Sequence, residues 1–415
     1  MRILFLGLNY APEEIGIARY STAMCEELVR RGHEVRAVAG KPYYPDWSVP
    51  AEFRGGGARH SEENGVELTR VSHYVPSDPS GAKRIFHHLT FALNALVPML
   101  KNARSFQPDI VLTVAPSTIG APVARLAARI AGARSWLHIQ DFEVGAALAT
   151  GLVNEGGLVS RLANAFERWV VTGFDRVTSI SLEMCRKVEE YGVPQSQIGE
   201  FRNWTELDQI APLDRPSKYR DEWNIETPHV ALYSGNIANK QGIDILVDVA
   251  RRLARRSDLT FVICGNGPNR DVLESRAAGL TNIQFHDLQP MAQLNELMNL
   301  ATIHLLPQKA SAADLVLPSK LTNMLASGRP VVATAHEDTG LAREVAGCGI
   351  LVSPENPGAF ADAIEKLMDD RDFYETSSRR ALVRADRRWN KFHIFDALER
   401  SFGALVNAHP GQKSL

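Results

Sequence analysis

The sequence predicts an α/β chain of two doubly wound domains facing across a cleft, closed by C-terminal helices. Three observations carry this. Apolar runs rich in Ile, Val and Leu alternate with helical patterns from start to finish, as parallel strands buried on both faces do. At 415 residues the chain is long for a single core. The alternation breaks once, at the polar, proline-punctuated segment 201–228, which reads as a linker or hinge.

The first array opens with a strand at Ile3–Leu8 and an amphipathic helix at Ile17–Arg31, with Tyr20, Met24 and Leu28 on one face. Gly32 ends that helix, and Glu34–Ala39 returns as a second strand, completing a βαβ unit. The pattern recurs at the strand Asp109–Val114, a helix near Pro122–Ala131, and strands Arg134–Ile139 and Arg176–Ile180. The second array has strands at Val230–Tyr233, Leu259–Cys264, Asn282–Phe285, Ile303–Leu306, Val331–Ala333 and Ile350–Val352. Residues 373–407 read as closing helices. The expected division is 1–200, linker 201–228, second domain 229–385, and a helix and tail 386–415.

Composition narrows the function classes. Forty-five per cent hydrophobic and 23% charged is ordinary globular usage, and a formal charge of −2 argues against a nucleic-acid binder. The cysteines at 25, 185, 264 and 348 are scattered, so small core residues in a reducing compartment are expected rather than disulfides or zinc ligands. The start, MRILFLGLNYAPEE, turns acidic too soon for a signal peptide, and no run of about 20 apolar residues could span a bilayer. The expectation is a cytoplasmic protein, at most peripheral at the inner face of the membrane. One segment supports the latter. Lys83–Lys101 is an apolar helix bracketed by bases, fit either for an anionic membrane surface with Phe86 and Phe91 inserted or for the core.

Three turns of the second array suit phosphate. In VALYSGNIANKQG, Gly235 and Asn236 leave a strand and Lys240 stands before the next helix. In CGNGP, Gly265, Asn266 and Gly267 end a strand, with Pro268 in a favoured first-turn position. In LPSKLTN, Pro318 and Ser319 precede a helix with Lys320 in its first turn, followed by Leu321 and Asn323. A lysine there opposes the helix dipole at a cost of about 1 kcal/mol or less, a placement that makes sense beside an anion. Three such turns make a nucleotide diphosphate the expected ligand. GxGxxG and GxxxxGK[ST] are both absent, which disfavours a dinucleotide or a P-loop.

In the first array, the loop around Gly16 lies where an open α/β sheet places a ligand. HIQDFE supplies His138, Asp141 and Glu143 at another strand end, as an acid/base set, a metal site or a structural histidine.

These residues together resemble retaining glycosyltransferases of family 4, which have the GT-B fold. The likeness runs through RILFLGLNYAPEEIGIARY, RGHEV, PYYPDW, HIQDFE, FRNW, SGNIANKQG and LPSKLTNMLASG. It is similar in particular to exopolysaccharide transferases of the colanic acid type, assigned to fucose transfer. The resemblance implies a nucleotide-sugar donor and a polyprenyl-diphosphate-linked saccharide acceptor, with no metal and no cofactor. It implies that Lys240 contacts the donor diphosphate, that Gly16 faces it, that His138 lies by the donor sugar, and that Gly265–Pro268 line the nucleotide pocket.

The chain departs from the family pattern. Asn236 stands where an arginine is usual, and two glutamate positions fall at Leu315, beside Asp314, and at Asn323. Lys320 is then expected to take the arginine's phosphate contact and Asn323 the ribose, with Asp141, Glu143 and Asp314 toward the acceptor or donor sugar. A GT-B sugar-nucleotide epimerase and a non-catalytic nucleotide-sugar-binding protein are the alternatives.

Overall fold

The computed structural model describes residues 1–14, 16–142, 158–204, 210–237, 241–309, Pro318 and 320–408. The chain divides into two compact units, Met1–Asn203 with the residues from Ala397 onward, and Trp204–Asp396.

In the first unit, β1 (Arg2–Gly7), α1 (Ile17–Arg30) and β2 (Glu34–Gly40) form the expected βαβ start. An unanticipated hairpin, β3 (Arg59–Glu63) and β4 (Val66–Val71), then closes one sheet edge. Its outer strand reads RHSEE, with no apolar residue to signal it, and such charged edges protect a sheet from pairing with other chains. The chain continues through α2 (Gly81–Ser105), β5 (Ile110–Ala115), α3 (Ala121–Ala131), β6 (Arg134–Ile139), α4 (Leu158–Val171), β7 (Arg176–Ser179), α5 (Leu182–Glu190) and β8 (Ile198–Glu200). The sheet order is β3-β4-β2-β1-β5-β6-β7-β8, parallel except for the hairpin. Helices α2, α3 and α4 each precede a strand lying further along the same direction of the sheet. Right-handed crossovers therefore place all three on one face.

The second unit contains α6 (Tyr219–Glu222), β9 (His229–Ser234), α7 (Asp244–Arg252), β10 (Leu259–Cys264), α8 (Arg270–Arg276), β11 (Ile283–His286), α9 (Leu294–Leu300), β12 (Ile303–Leu306), α10 (Lys320–Ala326), β13 (Val331–Thr334), α11 (Gly340–Val345) and β14 (Gly349–Val352). It ends with α12 (Pro357–Asp369) and α13 (Arg371–Trp389). Its parallel sheet has the order β11-β10-β9-β12-β13-β14, so the strand order reverses between β9 and β12. Ligands of open α/β sheets bind at such a switch point, beyond the carboxyl ends of the strands.

Three expectations are corrected. Segment 201–228 is not a linker throughout: Ile210, Tyr219 and Ile225 lie in the second unit's core with Val230 and Leu232. Phe91 does not face solvent. It is fully buried with Ala95 and Met99 against the sheet, whereas Phe86, about a third of a turn away on the helical wheel, is 52% exposed. Pro268 is not in the first turn of a helix, because α8 begins two residues later at Arg270.

The last helix, α14 (Lys391–Asn407), ends in the first unit, where Phe402 packs on Trp136 with ring centroids 4.8 Å apart. Glu399 there accepts from Arg31 at 2.7 Å and pairs with His33 at 2.8 Å. All four cysteines are free and buried.

Candidate nucleotide-sugar site

The second unit draws two glycine turns and one lysine together at its switch point. The turns after β9 and β10 are laced by backbone bonds: Gly235 N–H donates to the Cys264 carbonyl at 2.8 Å, and Ile237 N–H to the Asn266 carbonyl at 2.9 Å. This spacing requires glycine. A Cβ on Gly265 would collide with the Gly235 carbonyl, and one on Gly235, whose φ is +135°, would displace the end of the Lys320 side chain. Arg270 braces the second turn, donating to Asn266 Oδ1 at 2.8 Å and to the Gly265 carbonyl at 3.2 Å while paired with Asp287.

Because β9 and β12 are neighbours, α10 starts beside the first turn, and Lys320 reaches back over Gly235. Its Nζ donates to Tyr233 Oη at 2.8 Å, and that hydroxyl donates onward to the Asn236 carbonyl at 2.7 Å. The ammonium also sits 4.4 Å from the centroid of the Tyr233 ring, a cation–π placement. Among the described residues no carboxylate pairs with it. Burial pushes its pKa down to about 8. A largely dehydrated cation over a glycine turn, held by one neutral hydroxyl, is equipped to receive an anion.

Asn236 and Asn266 are exposed at this rim, and Asn323 lies half-buried one turn beyond Lys320. Pro318 accepts from Leu321 N–H at 3.0 Å, and the Leu321 side chain is fully buried in the core, so its side chain supports the site from beneath. Lys240, Ser319, Glu143 and Asp314 lie outside the described residues.

The remaining candidates belong to the first unit. Gly16 caps α1 at φ +64° with open space around it. Its loop is pinned by Glu13, which accepts from the Tyr43 and Tyr44 backbone N–H groups at 2.7 and 2.9 Å and from Asn9 at 2.9 Å. Asp141 is exposed just past β6 and accepts from Phe142 N–H at 2.8 Å. His138 is different. Its ring is 1% exposed, with Nδ1 3.1 Å from Thr178 Oγ1 and Phe201 packed on it at 4.9 Å. Burial lowers its pKa to about 3, so the ring is neutral, and its Nε2 is buried with no hydrogen-bond partner among the described residues. Tyr233, Arg270 and Glu13 were not anticipated as site residues. The signal for Tyr233 was a hydroxyl-bearing ring at the end of the aliphatic run VAL, one residue before the glycine turn.

The description "Glycosyl transferase 4-like domain" matches residues 16–204, and "Glycosyl transferases group 1" matches 228–370. The chain is 39% identical over 379 residues to WcaI of Escherichia coli (strain K12), named as a colanic acid biosynthesis glycosyl transferase, covering 89% of this chain and 92% of WcaI. It is 26% identical over 398 residues to a GDP-mannose-dependent alpha-mannosyltransferase of Mycolicibacterium smegmatis, covering 92% and 93% of the two chains. Anabaena HepE, solved in complex with UDP, superposes with a TM-score of 0.67 at 14% identity over 97% of this chain and all of the other. The two parallel-sheet Rossmann-like units have the GT-B fold, and the chain belongs to the glycosyl transferase family with 4-like and group 1 domains and is a glycosyltransferase.

Proposed function

We propose that this glycosyltransferase moves a sugar from a nucleotide diphosphate donor, GDP-fucose first among the candidates, to a lipid-linked oligosaccharide in exopolysaccharide biosynthesis, with retention at the anomeric carbon. The observation that carries the reading is Lys320, a half-buried ammonium with no carboxylate partner among the described residues, over the Gly235 turn. Departure of a nucleoside diphosphate builds negative charge on phosphate, and a fixed cation in a partly dehydrated site stabilises it without reorganising. The phosphate oxygen then accepts the acceptor's proton on the same face of the sugar. Lys320 thus stands in for the arginine replaced by Asn236, and Lys240 adds a second cation. With charge supplied by lysines, neither metal nor cofactor is part of the proposal. Asn236, Asn266 and Asn323 offer hydrogen bonds for the nucleoside, while Gly16 is assigned to donor binding and Asp141 to the acceptor or donor sugar.

WcaI's name supports the exopolysaccharide assignment, and the M. smegmatis relative's GDP-mannose dependence favours guanine over uracil. A lipid-linked acceptor implies work at the inner face of the membrane. Among the described residues, no helix is long and apolar enough to cross it.

Calorimetric titration with GDP and UDP at matched salt tests the reading. GDP should bind more tightly, and Lys320→Met should weaken it by roughly 10- to 100-fold, the range for a hydrogen bond to a charged group. Tighter UDP binding would redirect the donor to glucose- or galactose-type sugars. Binding of neither nucleotide, or an unchanged affinity in Lys320→Met, would refute the phosphate site.

A further inference from the structure

Helix α2 is apolar on two opposite faces. Phe91, Ala95, Met99 and Ala103 point into the sheet and are buried. Ile85, Leu89, Leu93 and Val97, also spaced by four, are 42–60% exposed, with Phe86 beside them at 52%. One face builds the core, and the other stays exposed, with Phe86 leaning on the Tyr74 ring at 5.1 Å between centroids.

The second stripe is not alone. Next to α2, α3 exposes Leu126 and Ile130, at 41% and 38%. On its far side α4 exposes Leu162, Phe166 and Trp169, at 62%, 39% and 51%. The junction is direct, because Arg125 of α3 lies 5.0 Å above the Trp169 ring. Half of the exposed large hydrophobic residues of the described chain therefore fall on three adjacent helices of one sheet face. Scattered exposed leucines need no explanation, but a continuous apolar face does.

Charge identifies what covers it. The three helices carry eight cations, Lys83, Arg84, Lys101 and Arg104 on α2, Arg125 and Arg129 on α3, and Arg161 and Arg168 on α4. Their one acid, Glu167, is 3% exposed and turned inward to the Tyr191 hydroxyl at 2.6 Å. Such one-sidedness is not inherited from composition, since the whole chain has a formal charge of −2. A second copy of the chain would bring eight more cations onto the same face and repel. Anionic lipid headgroups satisfy the bases while the acyl boundary takes the apolar side chains.

We propose that the face formed by α2, α3 and α4 is a docking surface for an anionic lipid bilayer, with Trp169 and Leu162 of α4 as much part of it as the α2 stripe. The inference deepens the lipid-side half of the function proposed above and rests on that reading only for its purpose; the surface belongs to the first unit alone.

The full-length chain is sedimented with vesicles of phosphatidylcholine alone and with vesicles containing roughly one part in three phosphatidylglycerol. Binding should require the anionic lipid and decline with salt. Leu162→Ser/Trp169→Ser and Lys101→Glu/Arg104→Glu should each lower binding about tenfold or more, since each surface base contributes on the order of a tenfold factor or somewhat less. All these positions are exposed, and unchanged thermal melting with unchanged GDP titration would show that the variants are folded and that the donor site is a separate matter. The proposal is overturned by binding to neither vesicle, by equal binding to both, or by wild-type binding of the α4 variant. Self-association abolished by Leu162→Ser/Trp169→Ser, with no vesicle binding, would reassign the face to contacts between copies.

Discussion

The end of β6 in the first unit and the glycine turns of the second both bury a titratable side chain, and they do opposite things with it. His138 is wrapped by Thr178 and Phe201, its pKa falls to about 3, and it gives up its charge, although its Nε2 stays buried without a partner among the described residues. Lys320 is less deeply buried, yet it keeps a charge that one tyrosine hydroxyl and one aromatic face compensate only in part. Burial alone therefore does not mark a site. What marks it is a charge the fold leaves unmatched, because that mismatch is released when a ligand of opposite sign arrives.

The sharpest way to break the comparison is His138→Ala. If the ring is a packing element, the variant should lose about 2–4 kcal/mol of stability, as other large-to-small core changes do, while GDP affinity is unchanged. Denaturant unfolding and calorimetry report the two separately. A variant of wild-type stability that has lost turnover would instead return His138 to the donor sugar.

Lys320→Met should act in the other direction. Lowering a lysine from 10.5 to about 8 means that its ammonium costs the folded state on the order of 3 kcal/mol at neutral pH, a cost relieved as pH rises from 8 to 10.5. The variant should therefore melt higher while binding GDP more weakly, whereas a lysine that merely decorates the surface would give neither change. Gly235→Ala should mimic the loss of affinity, since its Cβ takes the space of the lysine's end, and should also destabilise by roughly 1–3 kcal/mol through backbone strain.

Acid gives a milder test. His138 and His304 are both held near 3, so the unfolded chain takes up protons that the folded chain refuses. Stability should fall as pH drops from 6.5 toward 3, and a chain whose urea midpoint is flat across that window would contradict their burial.

Much of this was legible in the residues. The βα alternation is an apolar period, and the glycine turns with Lys320 are local phosphate chemistry, so both survive translation into structure. What the residues did not disclose depends on partners distant in sequence. Whether Phe86 or Phe91 faces the core is set by α2's rotation against β2, β4 and β1, because both faces of the helix are apolar. Tyr219 and Ile225 look like linker residues until α9, α10 and their strands close over them. The place of His138 by the donor sugar is implied by the family resemblance, whereas its packing against Thr178 and Phe201 depends on partners distant in sequence.

The decisive measurement is proton uptake on GDP binding, read from calorimetry near pH 8.5 in two buffers of different ionisation enthalpy. With Lys320 titrating near 8 in the free protein, a bound diphosphate should raise its pKa, so wild type should take up a substantial fraction of a proton and bind more weakly as pH climbs. Lys320→Met should take up none. GDP binding with no proton exchange in either protein would mean that the diphosphate does not sit on Lys320, and the site would have to be placed elsewhere.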